Sequence, residues 1–356
     1  MASRVTLNPG DSLYKFDLKS RIGSGGFGDV WLAHDRTISK DIAVKVLDEG
    51  ITIDERLSEA RIGNLLDHSN LVKMHYADVV QHKGVDLVII AMDYHANGST
   101  LSQLNAGNFI PMPKVISLIT DILRGLEYLH ELNLFHNDVK PGNVLIGSSN
   151  QGVLTDYGIT CHSPTGKSVQ PTKAYNLHMA PEVLDKNGIN IHTDIYQTGL
   201  TAFRLLNGLG LVRDKLSSLG KAEYYKLVAA GKVILPKDFQ PFIPKNLKTV
   251  INRAVNIDPA KRYKSAVEMR RALERLSYPG YWTTDASGDF IGSNDQYEFR
   301  FTERAQTLKM FEMIAYKKNK KSGRETKISK FSDKNLTYKQ KEDLKRKLMQ
   351  WVVTGL

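Results

Sequence analysis

The hydrophobic positions of this 356-residue chain change their period along its length. From Leu13 to about Tyr94 they alternate as in strands, interrupted by one helix. In Ile42-Ala43-Val44-Lys45-Val46 a period of two sets Ala43 and Lys45 on one face and Ile42, Val44 and Val46 on the other. Residues 54–67 read as an amphipathic helix with Leu57, Ile62, Leu65 and Leu66 on its apolar side. Between Val115 and Leu132 the positions Ile116, Ile119, Leu123, Leu126 and Leu129 recur at helical spacing, and 194–207, 221–230, 245–256 and 265–277 follow as further helices. A strand-rich part followed by a helix-rich part predicts two lobes of an α+β fold.

After Tyr278-Pro279-Gly280 the texture changes. Residues 296–316 carry the aromatic and β-branched residues of strands, Lys317 to Lys321 with Ser322-Gly323-Arg324 form a charged turn, and 337–353 form a last helix with Thr337 as N-cap. The expected division is a tail at 1–12, a first lobe at 13–94, a second at 95–278, and a basic extension or small accessory domain at 279–356. No internal repeat or extended low-complexity segment is visible.

Charge sharpens that last boundary. The chain carries a formal net charge of +11, and residues 305–356 hold fourteen Lys or Arg against five Asp or Glu, or +9, which leaves about +2 for residues 1–304. Three readings of the basic segment stand side by side: a solvated surface, a nucleic-acid or ribosome contact with Tyr316, Tyr338 and Trp351 among the lysines, and a docking or regulatory module. Phe299, Phe301, Met310, Phe311, Met313, Ile314, Leu344, Leu348 and Trp351 argue that it folds. No apolar run is long enough to cross a bilayer, and Met-Ala-Ser-Arg-Val-Thr lacks a secretory apolar stretch. With Cys161 as the single cysteine there is no intrachain disulfide, so a soluble cytoplasmic protein without a membrane partner is expected.

The chemistry concentrates in two short stretches. Residues 136–143 read His-Asn-Asp-Val-Lys-Pro-Gly-Asn, and thirteen residues on comes Asp156-Tyr157-Gly158. Asp138 can accept a proton, Lys140 can neutralise a phosphoryl group in transfer, and Asn143 and Asp156 offer oxygens suited to Mg²⁺. Upstream, Gly23-Ser24-Gly25-Gly26-Phe27-Gly28-Asp29-Val30 has glycines at its first, third and sixth positions, which lets backbone N–H groups approach phosphate oxygens. Taken alone it reads equally as ordinary turn glycines. Because Val30-Trp31-Leu32-Ala33 continues as a strand, a glycine-rich hairpin fits better than a dinucleotide-binding turn, which needs a helix there. Lys45, seventeen residues beyond Gly28, requires a partner if buried, and Glu59 on the next helix supplies one. The bland reading of both is a surface lysine and a surface helix glutamate.

In this order the elements resemble a eukaryotic-type serine/threonine protein kinase, over roughly residues 13–278: the glycine loop, Ala43-Val44-Lys45, Glu59, the 136–143 loop, Asp156-Tyr157-Gly158 and Ala180-Pro181-Glu182. The resemblance implies a bilobal kinase fold, ATP with Mg²⁺ (or Mn²⁺) as cofactors, and protein substrates that include the enzyme itself. It makes Asp138 the residue that orients and deprotonates the acceptor hydroxyl, Lys140 the phosphoryl stabiliser, Lys45 and Glu59 the phosphate-binding pair, and Asn143 and Asp156 the metal ligands. The nucleotide site would comprise Gly23, Gly25, Gly26, Phe27, Gly28, Val30, Ala43 and Lys45, with Met92 at the back of the adenine pocket and Asp93 to His95 as the hinge. Asp194 would support the catalytic loop and Arg262 would pair with Glu182. Lys140 two residues after Asp138 resembles the Ser/Thr branch, and the compact region resembles bacterial or phage members.

Three departures stand out. Asn137 replaces the Arg that in the family pairs with a phosphorylated activation-segment residue, so intrinsic activity is expected. Tyr157 replaces Phe and keeps an aromatic body. The stretch from Lys173 to Met179 lacks the usual Gly-Thr-Pro. Thr160, Ser163, Thr165, Ser168 and Thr172 are candidate autophosphorylation sites, or else ordinary solvated loop residues. Cys161 reads as an inert small residue rather than a redox switch. The competing functions are a catalytically dead scaffold, which usually loses the equivalents of Lys45, Asp138 or Asp156, and a kinase-like enzyme acting on a small molecule or RNA, which generally lacks Ala-Pro-Glu.

Overall fold

A six-stranded antiparallel sheet makes the N-terminal lobe of the structure, a computed structural model that describes residues 6–25, 28–47, 53–104, 108–171 and 173–355. Its strands are β1 (Ser12–Leu13), β2 (Phe16–Gly25), β3 (Gly28–Asp35), β4 (Lys40–Leu47), β5 (Met74–His82) and β6 (Val85–Met92), in the spatial order β1-β2-β3-β4-β6-β5, with helix α1 (Ile53–Asn64) between β4 and β5. The alternation in β4 sorts its side chains between two cores. Ile42, Val44 and Val46 join Phe16, Trp31 and Ile89, whereas Ala43 and Leu47 join Ile90, Met92 and the large core that continues into the second lobe. Because β4 lies between β3 and β6, Lys45 sits among these apolar residues with 5% of its surface exposed.

Helix α1 ends at Asn64, three residues short of the expected boundary. Leu65 and Leu66 instead close tight turns onto the carbonyls of Ile62 and Gly63. Leu66 is buried and Leu65 is 66% exposed, so Leu65 is not part of the apolar side, because the helix ends before the apolar period does.

The second lobe is built on α2 (Met112–Glu131), whose Pro113 lies in the first turn, where its missing N–H costs nothing. Around it lie β7 (Leu134–Phe135), β8 (Val144–Ile146), β9 (Gly152–Leu154), β10 (Cys161–His162), α3 (Pro181–Leu184), α4 (Ile191–Asn207), α5 (Gly210–Ala229), α6 (Lys245–Ala254) and α7 (Ala266–Glu274). Helix α4 is buried along nearly its whole length and starts with a capping box formed by Asn190 and Thr193. Helix α5 is broken at Gly220, with φ +78°, and its first half was not foreseen because few of its residues are buried.

The extension forms a second antiparallel sheet, of β11 (Gly280–Thr284), β12 (Phe290–Asn294), β13 (Tyr297–Ala305), β14 (Phe311–Asn319) and β15 (Glu325–Lys327), with β16 (Asp333–Leu336) also paired to β14. Helix α8 (Tyr338–Thr354) lies across it and is capped by Thr337 and Gln340. The indole N–H of the fully buried Trp282 donates to the Met349 carbonyl at 3.0 Å and ties β11 to α8. Phe290 contacts Phe109 at 6.0 Å and Phe242 at 6.3 Å between ring centroids, and the Gln350 amide donates to the carbonyls of Pro241 and Ile243, so the extension shares its apolar core with the second lobe. Among the described residues no helix is long and apolar enough to cross a membrane.

Candidate active site

Helix α4 holds the 136–143 loop from beneath through three polar residues on one face. Asp194 accepts the backbone N–H groups of His136 (2.9 Å) and Asn137 (2.7 Å), and also His130 Nε2–H at 2.8 Å. Gln197 accepts Val139 N–H at 3.0 Å and returns its amide to the Asn137 carbonyl at 2.8 Å, while the Thr201 hydroxyl donates to the Val139 carbonyl at 3.0 Å. Spacings of three and seven residues put these side chains on the same stripe of the helix. They satisfy the buried backbone of the loop and leave the side chain of Asp138 as its reactive feature.

Asp138 Oδ2 accepts from Lys140 Nζ at 2.6 Å and from Asn143 Nδ2 at 2.9 Å, and Asn143 Nδ2 also reaches the Asp138 carbonyl at 2.9 Å. Oδ1 is buried with no protein partner. Burial pushes the Asp138 carboxyl up to about 6, against the pull of Lys140. The result is a carboxylate near neutrality with one free acceptor oxygen, suited to receive a proton.

Facing it, Lys45 Nζ bridges two carboxylates, Glu59 at 2.8 Å to both oxygens and Asp156 Oδ1 at 2.8 Å. Burial opposes the ammonium charge, but Asp156 and Glu59 override it and hold Lys45 protonated. Burial would likewise raise Asp156, yet Lys45 brings it down to about 2. Asp156 is therefore ionised, and the Lys140 charge adds to its lowering. His136 donates Nε2–H to the Thr155 carbonyl at 3.1 Å and accepts Asp138 N–H on Nδ1 at 3.2 Å, which fixes its neutral tautomer. The hydroxyl of the buried Tyr157 donates to the Val72 carbonyl at 3.1 Å, so Tyr for Phe adds an anchor between the Asp156 turn and the first lobe.

The donor set fits a divalent cation. With the Asn143 amide nitrogen engaged by Asp138, its Oδ1 is the remaining ligand atom, and Asp156 retains Oδ2. Two hard oxygens leave the other positions to phosphate and water oxygens. Among the described residues no group of three or more His, Cys, Asp or Glu side chains stands ready to hold a metal alone.

Above this cleft β2 and β3 close a hairpin in which Gly25 pairs with Gly28 and Gly23 with Val30. Gly28 has φ +133°, and a Cβ there would lie 2.0 Å from the Val46 carbonyl oxygen, so only glycine fits. Gly26 and Phe27 lie outside the described residues. Val30 pairs with Lys45 and Ala43 with Met92, which is buried at the end of β6. Beyond it Asp93 donates its N–H to the Lys73 carbonyl at 3.0 Å and accepts His75 Nε2–H at 2.8 Å, and the His95 carbonyl accepts Gly98 N–H at 3.0 Å. Lys45, Glu59, Asp138, Lys140, Asn143 and Asp156 are thus gathered into two linked clusters, with Gly23, Gly25, Gly28, Val30, Ala43 and Met92 on the hairpin and strands above and Asp93 and His95 in the stretch that follows β6.

A family profile described as the protein kinase domain matches residues 16–273, most of the chain. The chain belongs to the protein kinase family. Similar proteins include serine/threonine-protein kinase PknB of Mycobacterium leprae, 27% identical over 272 residues, which span 74% of this chain and 43% of that one. Another is serine/threonine-protein kinase PknJ of Mycobacterium tuberculosis, 29% identical over 293 residues, or 77% and 47% of the two chains. The kinase spans less than half the length of these relatives.

The kinase's activation segment departs from the sequence expectations in one respect. Thr160 and Ser163 are buried; the Ser163 hydroxyl donates to the Lys167 carbonyl at 2.6 Å, and its N–H to Asn133. Pairing of β10 with β7 folds this part of the segment back onto the lobe, so these two are not solvated loop residues. Thr165 and Ser168 are exposed, and Thr172 lies outside the described residues. Cys161 is half-buried, with its sulfur 3.6 Å from the Ile159 carbonyl. Farther on, Arg262 meets Glu182 through both guanidinium ends at 2.8 Å. Gln197, Thr201 and the Asp156 contact of Lys45 were not anticipated; the first two were signalled only by their spacing from Asp194.

Proposed function

We propose that this kinase transfers the γ-phosphoryl group of ATP to Ser and Thr hydroxyls of protein substrates, with Mg²⁺, or Mn²⁺ in its place, on Asn143 and Asp156. The observation that carries the reading is Asp138: a buried carboxylate held on one oxygen by Lys140 and Asn143, with the other oxygen free. That free Oδ1 accepts the hydrogen bond of the incoming hydroxyl and takes its proton as the oxygen attacks. Lys140, 2.6 Å from Asp138, places a positive charge beside the group in transfer. Lys45, held by Glu59 and Asp156, would set its ammonium beside the phosphates under the Gly23–Gly28 hairpin, and Met92, Asp93 and His95 would border the adenine. Held by Asn143 and Asp156, a divalent cation would supply charge neutralisation at the phosphate oxygens.

Retention of Lys45, Asp138 and Asp156 in working geometry favours an enzyme over a scaffold. The buried Glu182–Arg262 pair, which fixes the segment before α4, favours a protein acceptor over RNA or a small molecule. Thr165 and Ser168 are the exposed hydroxyls proposed for autophosphorylation. The test is transfer of label from [γ-³²P]ATP to protein extract and, separately, to RNA. Label should enter protein and vanish in both Asp138→Ala and Lys45→Ala; activity surviving both substitutions, or label entering RNA alone, would overturn the assignment.

A further inference from the structure

Tyr175 has no part in the reaction as described, yet it touches the residue that does. Lys140 Nζ lies over its ring at 4.4 Å from the centroid while donating to Asp138 Oδ2 at 2.6 Å. A lysine side chain has four rotatable bonds, and a single contact to Asp138 would leave its ammonium free to swing. The aromatic face adds a second fixed point. The ring is itself braced. The buried Arg204 of α4 is an electrostatic neighbour of Tyr175, and its Nη1–H donates to His178 Nε2 at 2.8 Å. His178, whose ring centroid is 5.7 Å from that of Tyr175, donates Nδ1–H to the Val139 carbonyl at 2.8 Å, next to Asp138. On the outer side the segment is pinned by Tyr225 hydroxyl to Asn176 Oδ1 and Tyr224 hydroxyl to the Leu177 carbonyl, each at 2.8 Å.

We infer that Tyr175 is a positioning residue for phosphoryl transfer: its ring holds the Lys140 ammonium against Asp138 at the acceptor site, in a stretch that lacks the family's Gly-Thr-Pro. The inference rests on the kinase reading above and adds a residue to it. Because the contact is through the ring face, the hydroxyl is dispensable for Lys140 and the aromatic surface is not. Because Lys140 acts on the group in transfer, the effect falls on turnover rather than on nucleotide binding.

The test compares Tyr175→Phe with two non-aromatic variants, Tyr175→Leu and Tyr175→Met, using casein as acceptor. Thermal melting and binding of fluorescent ADP confirm that each variant is folded. Tyr175→Phe should keep kcat within about two-fold, while Leu and Met lower kcat about ten-fold with KM for ATP unchanged. In a Lys140→Met background the Tyr175→Leu substitution should have no further effect. A kcat for Leu and Met within two-fold of wild type, or an equal fall for Phe, would overturn the inference with the kinase reading intact. A wild-type protein that labels neither casein nor itself would overturn both.

Discussion

The side-chain amide of Asn137 donates a 2.9 Å hydrogen bond to the main-chain carbonyl of Lys173. Asn137 is fully buried, holds φ at +63°, a region Asn tolerates better than most residues, and carries no charge that would call for a phosphate. Where the family resemblance implies an Arg paired with a phosphorylated residue, this contact joins the 136–143 loop to the segment before Ala180. Replacing Thr160, Ser163, Thr165, Ser168 and Thr172 together by Ala should therefore leave most of the transfer activity. Removing the buried Ser163 hydroxyl should cost about 1 kcal/mol of stability. Near-complete loss of label transfer, in a variant that still melts cooperatively, would contradict this.

Arg262 uses all of its donor directions. Nη1 donates to Glu182 Oε1 and the His192 carbonyl, Nη2 to Glu182 Oε2 and the Ile257 carbonyl, and Nε to the Asn256 carbonyl. Its side chain has no exposed surface. Arg262→Ala leaves a buried carboxylate and several carbonyls unpaired and should lower stability by about 3–5 kcal/mol in urea unfolding. Lysine restores the charge without the planar fork, so Arg262→Lys should recover only part of that loss. A loss below about 1 kcal/mol for Arg262→Ala would show that water replaces these contacts.

Much of this was legible in the sequence, and the parts that were not share a cause. Spacing alone located the strand bearing Lys45, the helix bearing Glu59 and both polar loops, because each is short-range information: a period of two, a period of 3.6, a run of turn residues. The alternation in β4 separated faces but said nothing about exposure, and its burial on both sides follows from the pairing of β4 with β6, which the chain order does not reveal. The second carboxylate partner of Lys45 is Asp156, far along the sequence, so local reading found only Glu59. Tyr157 read as a mild change from Phe, and only the approach of Val72 turned its hydroxyl into an anchor. Strands β11 and β12 escaped notice because each is five residues long and carries little periodic signal.

Phe290 of the extension packs against both Phe109 and Phe242 of the second lobe. The apolar surface of Phe242 and Ile243 is fully buried in the whole chain. Ending the chain at Tyr278 would uncover both, together with the carbonyls that Gln350 serves. The truncated kinase should melt at a lower temperature and bind a hydrophobic dye that the full chain does not. Phe290→Ala in the full chain should lower stability by about 2–3 kcal/mol. A truncation that melts at the same temperature as the full chain would mean the contact adds nothing to the stability of the second lobe.

His178 makes the last prediction, through pH. Its Nδ1–H donates to the Val139 carbonyl and its Nε2 accepts from Arg204, so both ring nitrogens are engaged in the neutral form. Burial, then the neighbouring Arg204 charge, hold its pKa well below the ordinary 6.5. Protonation would leave Arg204 and His178 as two donors facing each other. The unfolded chain takes up a proton at His178 once pH falls below about 6.5, while the folded chain does not, so folding stability declines with falling pH. The contribution is fully present above pH 6.5, and this single residue should account for a slope of up to about 1.4 kcal/mol per pH unit below it. His178→Gln removes the titrating group, so its unfolding free energy should fall less steeply than the wild type's between pH 6.5 and 5. Parallel slopes for the two proteins in urea titrations across that window would show that His178 is free to protonate in the fold, contrary to its hydrogen bonding.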